Sequence, residues 1–414
     1  MVNAKERFSM VEKIDQITSL ITNKVLDEVM VGRFYKFIMP NVVLVGEGAT
    51  IKLGQEVQKL GTKHALIVTD PGIIKLGLHN TTVNSLIKAG IKVEIFDQVK
   101  PDPDTEIVER GIQFAKEKGI DIIVGLGGGS PLDVAKAIAF MLTNPGTIHD
   151  YEGIDIIHNH RLPLVAIATT SGTGSEVTAN AVITDPKLNK KMIISSSALV
   201  PDIAVVDPRL TRGIPPKVTA ATGIDVLVHA IEAFLSKNSI TISSALAHRS
   251  IKMVAENLPL AVGNGEDMDA RHRMAIASLM AGMAFSNVGL GACHATAHQL
   301  GTTYKIPHGV ANGIMLPAVM TFNALVCRDR LREIAAAMGE RVEGLTDREA
   351  SLKAIAAVKN LIGEVGLPTS IREIGGKESD FPQMAKFALE DPTLLTNPRQ
   401  ASLEDLIEIY RLAY

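Results

Sequence analysis

"DIIVGLGGGSPLDVAKAIA", residues 121–139, decides the fold. Ile122–Val124 opens a short β-branched run. Gly127, Gly128 and Gly129 break it, and Pro131–Ala139 continues with helix formers. A buried strand that turns sharply into a helix is the building unit of a parallel sheet, since parallel strands need a crossover. The alternation repeats outward from here. "ALIVTD" (65–70), "IKVEIF" (91–96), "LVAIATTSGTGSE" (164–176) and "IAVVD" (203–207) read as further strands, with amphipathic stretches such as Thr105–Lys118 and Pro131–Thr143 between them. After Arg212 the strands stop. "GIPPKVTAATG" (213–223) places Pro215 and Pro216 where a helix starts, and helical runs such as Ser243–Leu258 and Ala270–Met283 follow. Three segments are expected: an amphipathic helical extension over 1–35, with Ile14, Ile17, Ile21, Val25 and Val29 on one side, an α/β half over 36–214, and an all-helical half over 215–414.

The 414 residues are 46% hydrophobic and 21% charged, with a formal net charge of −3. That length supports two domains and sizeable cores. The near-neutral balance gives no general pull toward nucleic acid or anionic membrane, and a chain with no Trp and 4% aromatics lacks base-stacking platforms. Cys293 and Cys327 are too few for a disulfide framework. Charges at Lys5, Glu6, Arg7, Glu12, Lys13 and Asp15 interrupt any apolar leader. No uncharged apolar run nears the ~18 residues of a membrane span. A cytoplasmic protein without nucleic-acid or membrane partners is expected.

Two loops at strand ends point to a phosphate ligand. At Gly127–Gly129 the backbone can approach an anion closely, Ser130 is placed to cap the next helix, and Pro131 suits its first position. "ATTSGTGSEVTAN" (168–180) adds Thr169, Thr170, Ser171, Thr173 and Ser175 as hydroxyl donors. Each loop alone also reads as a tight strand-to-helix turn. Together they fit a diphosphate. Asp70, ending "ALIVTD", is suited to a ribose diol and repels a 2′-phosphate, which favours NAD over NADP; taken alone it also reads as the start of a turn.

The second half carries a different chemistry. "TGIDVLVHAIEAF" (222–234) puts Asp225 and His229 on one helical face among apolar neighbours. A buried carboxylate beside a buried imidazole needs partners, either each other or a cation. "GLGACHATAHQLGTTYKIPHGVAN" (289–312) brings His294, His298 and His308. His294 and His308 complete a set of one carboxylate and three imidazoles, a combination that takes Fe²⁺, Zn²⁺ or another first-row ion. Read singly, the same histidines are ordinary polar residues of helix faces.

"GGGSPLDVAKA", "ATTSGTGSEVT", "AATGIDVLVHAIEAF", "GMAFSNVGLGACHATAHQLG", "IPHGVANGIMLP" and "NPRQASLEDLIEIY" together resemble the iron-containing (group III) alcohol dehydrogenases, over about residues 36–414. These share a fold with dehydroquinate synthase and glycerol dehydrogenase. The resemblance implies an N-terminal Rossmann-like parallel-sheet domain that binds a dinucleotide and a C-terminal all-helical domain that binds a metal. It implies Asp225, His229, His294 and His308 as ligands of Fe²⁺, with Zn²⁺ or another divalent ion as the alternative. His298 becomes a catalytic neighbour of the metal rather than a ligand. Asp70, Asp102, Gly128, Gly129, Ser130, Thr169, Thr170, Thr173 and Lys191 fall on NAD positions, and Asn180 and Phe285 on the substrate pocket. Some relatives carry a Cys at or beside the position of Thr393. The implied activity is NAD(H)-linked interconversion of a short-chain primary alcohol and its aldehyde: a diol, lactaldehyde, a semialdehyde or an acidic aldehyde such as sulfoacetaldehyde. A homodimer or larger homo-oligomer is implied. The rival readings are a lyase on the same scaffold, as in dehydroquinate synthase, a glycerol dehydrogenase, or a scaffold protein with a closed structural metal site.

Overall fold

Six parallel strands form the centre of the first half in this computed structural model, which describes residues 35–187 and 190–414. The amphipathic extension expected over 1–35 lies outside the described residues apart from its last position. In chain order the strands are β1 (Val42–Val45), β2 (His64–Val68), β3 (Lys92–Phe96), β4 (Ile122–Gly127), β5 (Gly153–Ile154), β6 (Leu164–Ala168), β7 (Asn180–Asp185), β8 (Lys190–Ser195) and β9 (Ile203–Val206). The main sheet runs β1-β9-β6-β4-β2-β3, and β5-β8-β7 form a small second sheet. Five helices accompany them: α1 (Ala49–Lys59), α2 (Pro71–Lys75), α3 (Asn80–Lys88), α4 (Thr105–Lys118) and α5 (Gly129–Met141).

Period-two alternation explains the layering. Ala65, Ile67, Ile122, Val124, Val165 and Ile167 face α1 and α3 through Leu53, Val57 and Leu86. Leu66, Val68, Ile123 and Leu164 face the opposite way, onto Val134, Ile138 and Phe140 of α5. Both faces are covered, so the strands read as continuous apolar runs. The expected strand-and-helix order is confirmed. Four strands stand where none was expected: β1, β5, and β7 and β8, which pair antiparallel.

The second half is helical: α6 (Pro216–Leu235), α7 (Thr241–Gly263), α8 (Met268–Val288), α9 (Ala292–Tyr304), α10 (His308–Asn323), α11 (Arg328–Ala337), α12 (Asp347–Glu364), α13 (Phe381–Leu389) and α14 (Leu403–Leu412). The chain thus takes the expected class, a parallel-sheet domain followed by a helical domain. α6 is the axis. Among the described residues it is the one helix long and apolar enough by itself to cross a membrane, yet 89% of its apolar window is buried within the protein. Each fully buried Leu, Ile or Val contributes about 1.5–3 kcal/mol, so α6 with Ile224, Val226, Leu227, Val228 and Ile231 anchors the helical core. Small residues bring its neighbours close. A Cβ on Gly309 of α10 would lie 2.0 Å from the Ala221 carbonyl oxygen of α6. The two halves meet the same way: a Cβ on Gly174, in the loop after β6, would lie 2.7 Å from the Gly282 Cα of α8.

Candidate active site

The first part of the site is the crevice at the carboxyl ends of the strands. The chain passes from β2 out to β3, then back across β2 to β4, so strand order reverses between β2 and β4. Ligands of open α/β sheets settle outside such a reversal. Asp70 follows β2, and the glycine turn follows β4. Thr69 Oγ1 donates to the Leu126 carbonyl at 2.7 Å and Thr169 N–H to the Gly127 carbonyl at 2.9 Å, which fixes the three strand ends together.

The glycines have separate duties. Gly127 has φ +156, and a Cβ there would strike Pro131 at 2.5 Å. At Gly129 a Cβ would press on Thr173 Cγ2 at 3.1 Å. Gly128 is different: the protein itself leaves ordinary contact distance, 3.6 Å to Thr170. Gly128 thus faces the second loop at van der Waals contact. The helix starts earlier than the sequence suggested. α5 begins at Gly129 with Gly128 as its N-cap and no side-chain cap, so Ser130 lies in the first turn and does not cap, and Pro131 is not its first residue. Backbone N–H groups at this end therefore have no side-chain competitor. Gly128, Gly129, Ser130, Thr169, Thr170 and Thr173 lie on these two facing loops. Asp70 is at the adjacent strand end. Its Oδ1 accepts from Gly72 and Ile73 N–H at 2.8 and 3.0 Å, so it caps α2, the turn-starting role the sequence also allowed. Asp102, with φ +51, and Lys191 engage each other at 2.7 Å in an exposed ion pair.

The second part is a buried cluster on α6, α9 and α10. One ligand atom each from Asp225, His229 and His294 lie within 4.8 Å of one another. His308 Nε2 is 3.6 Å from Asp225 Oδ1, on the open side, where its side chain is 44% exposed. The rings pack closely: His229 and His294 stack with centroids 4.8 Å apart, and His294 and His308 lie at 5.3 Å. Burial, and then the neighbouring imidazoles, hold His294 well below its ordinary pKa, and burial lowers His229. Both rings are therefore neutral and offer lone pairs, the form that binds metals. His229 Nδ1 and Asn312 Oδ1 are buried without hydrogen-bond partners of normal geometry.

Residues unremarked in the sequence hold this cluster in place. Glu232, one turn beyond His229, accepts from Cys293 N–H at 2.7 Å and lies 2.5 Å from His294 Nδ1. Burial pushes Glu232 up to about 8 against backbone donors from Cys293, His294 and Gly291. Gly291 makes room for it, since a Cβ there would lie 2.9 Å from Glu232 Oε1. Asn312 Nδ2 donates to Asp225 Oδ1 at 2.7 Å and lies 3.2 and 3.1 Å from His294 Nε2 and His308 Nε2. The signal was spacing: Asp225, His229 and Glu232 repeat on one face of an apolar helix, and Asn312 lies one turn after His308.

His298 stands apart. Its Nδ1 is 2.8 Å from Asp391 Oδ2, and its ring stacks on His308 at 5.4 Å. Thr393 N–H and Oγ1 hold the other Asp391 oxygen at 2.9 and 2.6 Å. Phe285 stacks on His229 at 4.3 Å. Ala179 N–H donates to Ser286 Oγ at 3.0 Å, which ties the strand start carrying Asn180 to the helix carrying Phe285.

A strand-reversal crevice beside a buried carboxylate–imidazole cluster suits a nucleotide-linked enzyme that works with a metal. The family can be given more closely. Residues 40–208 match the iron-containing alcohol dehydrogenase family, and residues 219–414 match the C-terminal part of the Fe-containing alcohol dehydrogenase family. The chain is 42% identical to a 1,3-propanediol dehydrogenase of Klebsiella pneumoniae over 384 residues, covering 92% of this chain and 99% of that one. It is 40% identical to an NAD-dependent methanol dehydrogenase of Bacillus methanolicus over 377 residues, covering 91% and 99%. Its fold superposes on the crystal structure of a 1,3-propanediol oxidoreductase with a TM-score of 0.91 at 42% identity, covering 92% of this chain and 100% of that one. This chain belongs to the iron-containing alcohol dehydrogenase family, and it is an oxidoreductase.

Proposed function

We propose that the protein interconverts a neutral short-chain primary alcohol or diol and its aldehyde, with NAD(H) as the redox partner and a divalent metal, Fe²⁺ first, as the electrophile. The observation that carries the metal is the cluster itself: three ligand atoms within 4.8 Å, neutral buried imidazoles, and orphaned polar atoms at its edge. Asp225, His229, His294 and His308 would hold the ion. When bound, the metal supplies a Lewis acid for the substrate oxygen and the nicotinamide supplies or takes up the hydride. NAD is supported by the helix start after Gly128 that no side chain caps, by the hydroxyl-bearing loop facing it and by the NAD-dependent relative.

The chain's own residues do the positioning. Glu232 holds the direction of His294, and Asn312 fixes the Asp225 oxygen. Phe285 packs against His229 and walls the site with an apolar face. His298 Nδ1 is held by Asp391, so Nε2 is the nitrogen left to pass the alcohol proton toward solvent. Neutral substrates are favoured because no side chain at the imidazoles is placed to pair with an anionic substituent. The side chains touching the imidazoles include Phe285, Glu232, Asn312 and Asp391, none of them cationic. Lys191 acts on His308 only at longer range and is engaged by Asp102.

A metal-loaded screen of short aldehydes against NADH tests the reading. Propanal, lactaldehyde or 3-hydroxypropanal should turn over at least about tenfold better in kcat/KM than sulfoacetaldehyde, the effect of about 1.4 kcal/mol of charge mismatch. Preference for the acidic aldehyde would overturn it. We also propose the division at 214/215, supported by the change from β9 to α6 across Pro215 and Pro216. A homodimer or larger homo-oligomer is proposed from family membership and is read by sedimentation velocity. A cytoplasmic setting is proposed from two buried free cysteines, the usage of a reducing compartment.

A further inference from the structure

Lys136 is wholly buried in α5, in an otherwise apolar run, and no step above uses it. Its ammonium spends all three N–H groups on one segment: Ser175 Oγ at 3.0 Å, Thr178 Oγ1 at 3.0 Å and the Asn180 carbonyl at 2.8 Å. Asp133, one turn earlier, grips the same segment. Its Oδ1 accepts from Ser175 Oγ at 2.9 Å and its Oδ2 from Val182 N–H at 3.2 Å. Ser175 N–H in turn donates to Thr173 Oγ1 at 3.2 Å, and Thr173 is the residue that packs on Gly129. The helix that begins at the first loop therefore holds the second loop through two charged side chains.

A buried charge gives little net stability compared with a well-packed apolar residue, so its use here calls for a positional reason. We propose that Lys136 is a positioning residue for the dinucleotide: it sets the separation of the Gly128–Ser130 and Thr169–Thr173 loops across which the diphosphate is held. The inference rests on the reading that these loops bind NAD. Burial draws the ammonium down to about 8, opposed by Asp133 and Glu176, so the clamp is charged at neutral pH.

The test uses the full-length, metal-loaded protein and NADH fluorescence titration. Lys136→Met and Thr178→Val should each raise the Kd for NADH by about tenfold, the loss of one or more charge-assisted hydrogen bonds. Thr178→Ser, which keeps the hydroxyl, should stay within about threefold of wild type on the same scale. Metal content and kcat at saturating NADH should be unchanged in the Thr178 variants. Should Lys136→Met fail to fold, the Thr178 pair decides the question. A folded Thr178→Val that binds NADH like wild type overturns the clamp, as does a Thr178→Ser that fails to restore binding. Failure of wild type itself to bind NADH overturns the cofactor reading, and the clamp with it.

Discussion

The crevice and the metal cluster solve opposite problems. The crevice is built from backbone: uncapped N–H groups at Gly129, a vacant Cβ position at Gly128 and short hydroxyls on two loops that each follow a strand. The cluster is built from side chains drawn from α6, α9 and α10 and steadied by Glu232 and Asn312. One waits for an anion with donors, the other for a cation with lone pairs. Their failures should differ accordingly. Damage in the crevice should be graded and confined to nucleotide affinity. Damage in the cluster should be close to all-or-none.

The sharpest way to break that contrast is Asp225→Ala. It should remove the metal, measured by elemental analysis, and lower kcat/KM by at least about 10³-fold, the loss of several kcal/mol of electrophilic assistance. NADH affinity should stay within about threefold of wild type, under 1 kcal/mol. A joint loss of metal and NADH would show that the two parts are one unit. His298→Ala should retain the metal and lower kcat by about 100-fold, the low end for general acid–base groups. Loss of the metal instead would move His298 into the ligand set. Gly128→Val probes the other side. Filling the crevice should weaken NADH binding by about 10–100-fold, at about 1–3 kcal/mol for overpacking, with metal content intact.

A separate effect concerns stability. Burial raises the Glu176 carboxyl to about 7. The folded chain then keeps a proton that the unfolded chain gives up near its ordinary value. This contribution is fully present below about pH 4.5 and lost as pH rises through about 7, a decline of roughly 3 kcal/mol. Glu176→Gln should flatten that slope in denaturant titrations between pH 5 and 8. An unchanged slope would show that Glu176 ionises normally.

The sequence was most readable where chemistry is contiguous. The apolar runs of β2, β4, β6 and β9 and the two loops after β4 and β6 lie in single stretches, so the sheet and crevice could be placed from local pattern. Asp225 with His229 was visible for the same reason. Glu232 shares their helix face, but its partner is settled only where Gly291 brings α9 against it. Asp391 is 93 residues from His298 and has no local signature. The β7–β8 hairpin was hidden by the break at Pro186 and the lysines at the start of β8, and Ser130 was credited with a cap although the helix already begins at Gly129. Lys136 and Asp133 carry no local signal of purpose, and only their shared grip on Ser175 gives them a role.

The contact between Gly309 and the Ala221 carbonyl has one more consequence. Helices α10 and α6 meet backbone to backbone, so the spacing between His308 and the Asp225–His229 pair does not depend on long side chains finding a rotamer. A site spaced in this way is already assembled before its ion arrives, and binding energy is not consumed in folding, unlike small zinc domains that collapse when stripped. Chelation should therefore leave an intact, reloadable protein, and one ion can be exchanged for another without refolding the chain.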